Sequence, residues 1–576
     1  MRKIYTAVLL MTFLALVALP KQLFAAGGTL VVYASGPTLD VVIGSDTTSN
    51  GEQAHDVYQL VSLDTTYIFD ATITAKSSIS IVGVLGNDGR PPCIQPDVLG
   101  DGSVPGVLFT FTGDGNQFIL KDLYLLGVAI NNTVNYGGGQ AVQISSDNIR
   151  LIADNVVFEN WSQFAIGYSG SWDKFYITNC KFRNMTTQPN QWYVGELLRN
   201  ENYLGAFPTD SIVIKYNTML CVSGYATAAT GGIVNYYEFS HNDVVYTFKN
   251  PFFLDRMVNA KFNDNLFYNA YAGGENKTEF AGWDSFTPNT GPSIITMGPL
   301  DSTTAALLLG HASTGAGDPA AELLRNVEVK NNVYYWSSGL TSFYTAWNDT
   351  AHVDSIYTTE WMNPPTVNMF GDDSKWPGFT ESGNQNVDPG FGASIDAVLD
   401  PGTGNNVGLL NWFTVVRTGT GTTELYGYQL TNVDFSSGNW VPDWPLPEAT
   451  DLQYSNTSLK TGATDGGYIG DPYWFTGVTG VEQVPGLVPD KFSLFEAYPN
   501  PFNPSTTISF ELPTNSDVKI SIYDISGKHV ETIVNNKMQA GAHEVTWNAS
   551  AYSSGVYIYK IESESYSETK KMILIK

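Results

Sequence analysis

Lys181 and Arg183, in the string Y-I-T-N-C-K-F-R, are the only basic pair that one strand of this 576-residue chain would present together. Residues at i and i+2 of a strand share a face. One member can act as a base while the other neutralises a carboxylate, which is what β-elimination of an acidic sugar demands. Other chemistry is thinly marked. Asp372-Asp373 reads as a solvated loop pair rather than the spaced carboxylates of a glycoside hydrolase. Acidic turns at Asn87 (N-D-G-R), Leu99 (L-G-D-G) and Thr112 (T-G-D-G-N) are the places where Ca²⁺ is a possible cofactor, yet none has EF-hand spacing and Asp-Gly is ordinary turn chemistry. His55, His241, His311 and His352 have no metal-ligand spacing and complete no Ser-His-Asp set.

The elements that would position such groups come from a repeat. The pattern apolar-x-x-(Asn/Asp)-apolar-x-apolar recurs with its polar anchor at Asp122, Asn155, Asn179, Asn217, Asp243, Asn265 and Asn332. The copies at Asn217 and Asp243 are imperfect. A unit of about 22 to 26 residues, lengthened by insertions, suits one rung of a parallel β-helix. Asn or Asp at a recurring bend tolerates a left-handed conformation and can bond along the stack. An earlier rung is expected at Ile79–Gly83, with Gly28 to Phe69 supplying the first rung and its cap. Residues 27–340 are therefore read as the β-helix, 341–480 as irregular final coils and a cap, and 481–490 as a linker with Pro485 and Pro489.

If the first and third residues after each anchor point inward, the second points out. That outward line is Tyr124, Val157, Lys181, Met219, Val245, Phe267 and Tyr334. Two readings follow: a sugar or other polymer stacks on Tyr124, Phe267 and Tyr334 beside Lys181 and Arg183, or inserted loops cover the line. The insertions Ile130–Gly139, Thr186–Pro208 and Tyr271–Arg325 are long enough to wall a groove.

Composition narrows the partners. With 29 Lys plus Arg against 56 Asp plus Glu, the net charge is −27, and neither nucleic acid nor an anionic membrane suits so few cations. The 55 Gly, 28 Pro, 13% aromatic and only 15% charged residues describe a β-rich chain with many turns. Residues 1–26, with Arg2 and Lys3 ahead of an apolar run from Ala7 to Leu19, read as a secretory signal peptide. No later stretch is long and apolar enough for a membrane span, and the odd three, Cys93, Cys180 and Cys221, read as buried hydrophobes.

From residue 491 short alternating strands appear at Thr507–Leu512, Val518–Tyr523, His529–Val534, His543–Trp547, Val556–Ile561 and Lys571–Lys576, as in a small immunoglobulin-like β-sandwich. The blocks A-Y-P-N-P-F-N-P-S-T-T-I-S-F-E-L-P, I-Y-D-I-S-G, A-G-A-H-E-V-T-W, S-S-G-V-Y-I-Y-K-I and K-M-I-L-I-K resemble the type A C-terminal sorting domain of type IX secretion cargo. The resemblance covers 491–576. It implies transfer by the type IX translocon and its sorting machinery to the cell surface or beyond. The residues it points to as the sorting signal are Pro499, Asn500, Pro501, Phe502, Asn503, Pro504, Gly555, Tyr557, Lys571, Leu574 and Lys576.

The body more loosely resembles the right-handed parallel β-helix superfamily of pectate lyases, pectin methylesterases and related hydrolases. G-G-G-Q-A-V-Q-I at Gly137–Ile144 is similar to the Gln-Ala-Val block of the esterases, but one rung on this chain has Gln163-Phe164-Ala165-Ile166, and Phe164 stands where those enzymes place an acid. The resemblance implies binding or processing of an extracellular glycan. The competing expectation is a non-catalytic adhesin or envelope structural protein. Of the net charge, the leader contributes +3 and the tail, with 8 Lys against 9 acids, −1, leaving −29 on the body. Polyanionic glycans are therefore disfavoured unless bound calcium reverses the local sign.

Overall fold

The structure, a computed structural model, describes residues 28–576 except 63–64, 87–88, 131–138, 186–193, 202–206, 230–231, 255, 277–292, 350–355, 358, 400–407, 419–450, 477–492, 495–496, 498–499, 501, 513–515, 539–540, 564–565 and 576. The expected leader and linker lie outside the described residues. The chain divides into two compact units, Met1–Gly480 and Val481–Lys576. Among the described residues no helix is long and apolar enough to cross a membrane.

The first unit is mostly β, built on a 19-stranded and a 7-stranded sheet whose strand pairs are all parallel. In the larger sheet Gln117 lies opposite Arg150, Arg150 opposite Lys174, Lys174 opposite Ser211, Ser211 opposite Tyr236, Tyr236 opposite Asn259 and Asn259 opposite Asn326. Strands Thr29–Val32, Val57–Leu60 and Ile79–Gly83 begin this array, and Phe379–Ser382 and Gln385–Asn386 end it. One large apolar core joins inward residues of both sheets, with stacked pairs such as Phe158 and Phe182 at 4.9 Å. Cys93, Cys180 and Cys221 are buried free thiols.

Between the two strands that each repeat gives the large sheet the chain bends at a residue with positive φ, namely Asp122, Asn155, Asn179, Tyr216, His241, Asp264 and Asn331, and a second left-handed residue follows at Asn160, Asn184, Cys221, Tyr246 and Asn269. A carboxamide or carboxylate side chain makes that conformation inexpensive by bonding locally. Asn155 donates to Asp122 Oδ1 at 2.7 Å, and Asn179 to Asp154 Oδ1 at 2.7 Å. The residue after the bend points inward. In the first three repeats it is Leu123, Val156 and Cys180; thereafter it is Asn217, Asn242, Asn265 and Asn332, all fully buried.

Those four asparagines and Asn384 form a ladder. Asn217 Nδ2 donates to Asn242 Oδ1 at 2.9 Å, Asn242 to Asn265 at 3.0 Å, Asn265 to Asn332 at 2.9 Å and Asn332 to Asn384 at 2.8 Å. Each Nδ2 also donates to a backbone carbonyl one repeat back, such as Ile214 or Phe239, and each Oδ1 also accepts the preceding rung's backbone N–H. Every amide group in the interior rungs is thus satisfied, as burial requires.

The region 341–480, expected as irregular final coils and a cap, contains helices Ser338–Asp349 at its start, Pro364–Phe370 and Leu409–Thr418. Its side chains Leu409, Leu452, Ile469 and Trp474 form a second apolar cluster with Leu220, Val245, Leu266 and Val333, which project from the large sheet away from the main core.

The second unit is antiparallel. Ser493–Leu494, Ser505–Leu512 and Gly541–Asn548 form one sheet, and Ser516–Asp524, His529–Met538, Gly555–Ser563 and Tyr566–Leu574 another, around Phe502, Ile508, Ile520, Trp547 and Tyr559.

Replacing Asn242 with alanine removes one rung and leaves buried groups of Asn217 and Asn265 without partners, an expected loss of about 2 to 4 kcal/mol. Urea unfolding should show it as a lowered midpoint, against a loss below about 0.5 kcal/mol for exposed Asn326→Ala; equal losses would contradict the ladder's role.

Candidate functional site

The register fixes which side chains reach the outside. Leu125, Phe158, Phe182, Met219, Val244, Phe267 and Tyr334 are successive partners and belong to or pack on the main core. Their outward neighbours are Tyr124, Val157, Lys181, Thr218, Asp243, Leu266 and Val333. The outward placement of Phe267, Tyr334 and Met219 is therefore corrected. The anchor asparagines in the later repeats sit one residue after the bend, and a one-residue slip moves a strand's side chains to the opposite face. Phe267 is buried against Trp361, and half-buried Tyr334 stacks on Trp361 at 4.7 Å.

Tyr124, Lys181 and Arg183 do face outward, but they are covered. Glu159, fully buried, takes hydrogen bonds from Tyr124, from Arg183 Nε at 3.0 Å and from Asn184 Nδ2 at 2.9 Å. Arg183 also donates to the Tyr124 hydroxyl at 2.9 Å. Lys181 lies 3.6 Å from the centre of the Tyr473 ring, and its ammonium is held below its ordinary pKa by burial, with Asp471 opposing that shift. Asp471, raised to about 6 by burial, accepts from Thr218 at 2.9 Å, and Trp474 Nε1 donates to the same hydroxyl at 2.7 Å. Lys181 and Arg183 thus do not make one open basic site. Among the acidic turns, Asp101 accepts from Ser103 N at 2.9 Å and Asp114 from Asp147 N at 3.1 Å, both closing loops; Asn87 lies outside the described residues. Among the described residues no three His, Cys, Asp or Glu side chains gather as a metal would require.

The Gln-Ala-Val block stands on the 7-stranded sheet. Gln140 pairs in register with Phe164, and Phe164 with Glu196; alongside, Gln143 pairs with Gly167 and Gly167 with Arg199. The short side chains Ala141 and Ala165 turn into the core, which leaves the polar positions on the outer face. Gly195, at φ 87°, makes the turn that delivers Glu196. Glu196 is fully buried and accepts two bonds from Arg199 Nη1, at 2.9 and 3.1 Å. Burial raises its carboxyl to about 7, with Arg199 and Lys249 pulling it back. Lys249 Nζ donates to the Tyr225 hydroxyl at 3.3 Å. A carboxyl that exchanges its proton near neutrality, beside an arginine, can act as acid or base. Glu159, Glu196 and Glu201 did not emerge from the sequence. Extending the Gln140 block two strands onward, to V-G-E-L-L-R-N, would have reached Glu196.

In the second unit the two most distinctive sequence blocks meet. Asn500 Oδ1 accepts from Ile573 N at 2.8 Å and its Nδ2 donates to Lys571 O at 3.3 Å. Phe502 N donates to Ile573 O at 2.9 Å, and Phe502 O accepts from Ile575 N at 3.0 Å. The Phe502 ring is buried 5.7 Å from Trp547, which also packs edge-on to Tyr557 at 5.1 Å. Gly555 lies opposite Leu574, itself buried. Asn503, Pro504 and Lys571 are exposed, while Pro499, Pro501 and Lys576 lie outside the described residues. The terminal strand is therefore not wholly open: around residues 571–575 its free side is already bonded to Asn500 and Phe502.

The second unit is thus a small antiparallel unit that ties its own entry segment to its last strand. Residues 496–576 match the family described as the secretion system C-terminal sorting domain. No curated protein and no solved structure matches the chain. The tail marks a protein exported through the type IX system to the cell surface or the extracellular space.

Because Glu196 binds its proton more tightly in the folded state, its contribution to stability is fully present below the ordinary Glu value of 4.5 and is lost as pH rises through about 7. Glu196→Gln should flatten the fall in urea midpoint between pH 5 and pH 8, with Asp173 (about 7) and Asp471 (about 6) leaving a residual slope in both proteins. Identical slopes would show that Glu196 does not titrate there.

Proposed function

We propose that the body is a right-handed parallel β-helix which binds or processes an extracellular glycan, delivered by an immunoglobulin-like sorting tail. The β-helix reading is supported by parallel partners that recur at repeat spacing, by left-handed bends that recur at equivalent places in the repeats and by the asparagine ladder. The glycan reading rests on one observation: the outer face of the 7-stranded sheet gathers Gln140, Gln143, Glu196 and Arg199 around Phe164 on a protein destined for the outside. Carboxamides, a carboxyl and ring faces suit hydroxyl-rich ligands.

The non-catalytic alternative, an adhesin or envelope structural protein, is favoured by the flank of the larger sheet, where Tyr124, Lys181 and Arg183 are engaged by the protein's own side chains. Incubating the secreted protein with a polysaccharide panel, with and without Ca²⁺, separates the two. New reducing ends or absorbance of unsaturated products is expected for processing; retained binding with neither signal selects the adhesin.

We also read Pro499–Pro504 with Gly555, Tyr557, Lys571, Leu574 and Lys576 as the sorting signal, preceded by a leader over 1–26. Deleting 491–576 should hold the body in the periplasm on cell fractionation. Unchanged appearance outside the cell would refute the tail's part in export.

A further inference from the structure

Two acceptor oxygens on the outer face of the 7-stranded sheet have nothing to accept. Gln140 is buried, its Nε2 donates to Gln163 Oε1 at 2.9 Å, and its Oε1 has no hydrogen-bond partner. In the neighbouring row the Glu201 carboxyl has a hydrogen bond with Gln143, yet its Oε1 is buried and has no hydrogen-bond partner. A Cβ on Gly167 would fall 2.6 Å from that oxygen, so the carboxylate lies over Gly167, whose partners in register are Gln143 and Arg199. A side chain at this position would push the carboxylate aside.

Among the described residues of this face, the buried polar side-chain atoms without a hydrogen bond are both acceptors, so the group they lack is a donor. The cations are already engaged, Arg199 with Glu196 and Lys249 with Tyr225. An anionic ligand would bring its charge against Glu201. A neutral sugar instead brings hydroxyl donors and an apolar C–H face. Ring surface is at hand: the half-buried Tyr225 and Phe253 stack at 5.1 Å, beside Phe164, which is buried under Arg199.

We infer that this face binds a neutral saccharide, with hydroxyls donating to Gln140 Oε1 and Glu201 Oε1 and a sugar ring set against the aromatic side chains. The inference rests on the glycan reading above and gives it a site and a ligand class. Gln143, Arg199 and Glu201 form its accessible rim, with Gln140 and Glu196 beneath.

Calorimetric titration of the full-length protein with gluco-, manno- and xylo-hexasaccharides, and with hexagalacturonate as the anionic comparison, tests it. At least one neutral hexasaccharide should bind. Gln140→Ala and Glu201→Ala should each weaken it about tenfold or more, whereas Glu201→Gln, which keeps an acceptor, should stay within about threefold. Melting curves check that the variants fold; if an alanine variant does not, Gln143→Ala on the rim replaces it with the same expectation. Tighter binding of hexagalacturonate overturns the ligand class. Neutral binding unaffected by the folded variants overturns the site and leaves the glycan reading standing, while no binding of any hexasaccharide removes both.

Discussion

The left-handed bend between the two strands that each repeat gives the large sheet holds this fold together. It turns the chain between two strands without breaking the parallel pairing, and it fixes which alternate side chains enter the core. At Asp122, Asn155 and Asn179 the bend residue is of a type that tolerates the conformation. At Tyr216 and His241, with φ 58° and 53°, it is not, and a bulky residue there costs roughly 1 to 3 kcal/mol. The asparagine ladder begins at these same repeats. Asn217 and Asn242, one residue past the strained bends, bond to the repeats on either side through every amide group, and Tyr216 stacks on His241 at 5.0 Å. The ladder over-determines the bend, so the less suitable residues are held in place.

The change of device also explains what could be read in the sequence. Asn and Asp recur closely enough to reveal a repeat, and the alternating apolar strings locate the strands. In the tail, turn residues bound each strand, and the six expected strands fall within the six long strands observed up to the final residues. What is hidden is the shift of the asparagine from the bend to the position after it. Asn179 and Asn217 look like equivalent anchors, yet Cys180 N donates to Asn217 Oδ1, which aligns Asn217 with the residue after Asn179. Counted from the wrong residue, Met219, Phe267 and Tyr334 appear outside while Thr218, Leu266 and Val333 go unnoticed.

Cover over the outward line was illegible for a different reason. Thr218 meets Asp471 and Trp474, and Asp264 meets Thr464, contacts separated by 200 residues or more of chain. Nothing local in G-G-Y-I-G-D-P-Y-W-F states where it will dock. Its aromatic and acidic residues make sense only beside a buried lysine and threonine that need partners. Glu196 is a milder case, since its strand repeats the texture of the Gln140 block and only the intervening Phe164 interrupts the polar row.

Charge and burial together set what the outside can bind. The body has few cations for its size, and several are committed to ion pairs: Arg183 to Glu159, Arg325 to Glu322, Arg199 to Glu196 and Lys215 to Glu238. With every acid ionised each pair is neutral, so the whole formal deficit of −29 falls on the remaining groups. A buried charge without a partner costs more than any surface contact returns, so these cations cannot be lent to a passing polyanion. The acids that partner them are fixed by the same constraint. An outer face built under that rule offers carboxamides, hydroxyls and rings more readily than free positive charge, which is a chemistry for uncharged ligands.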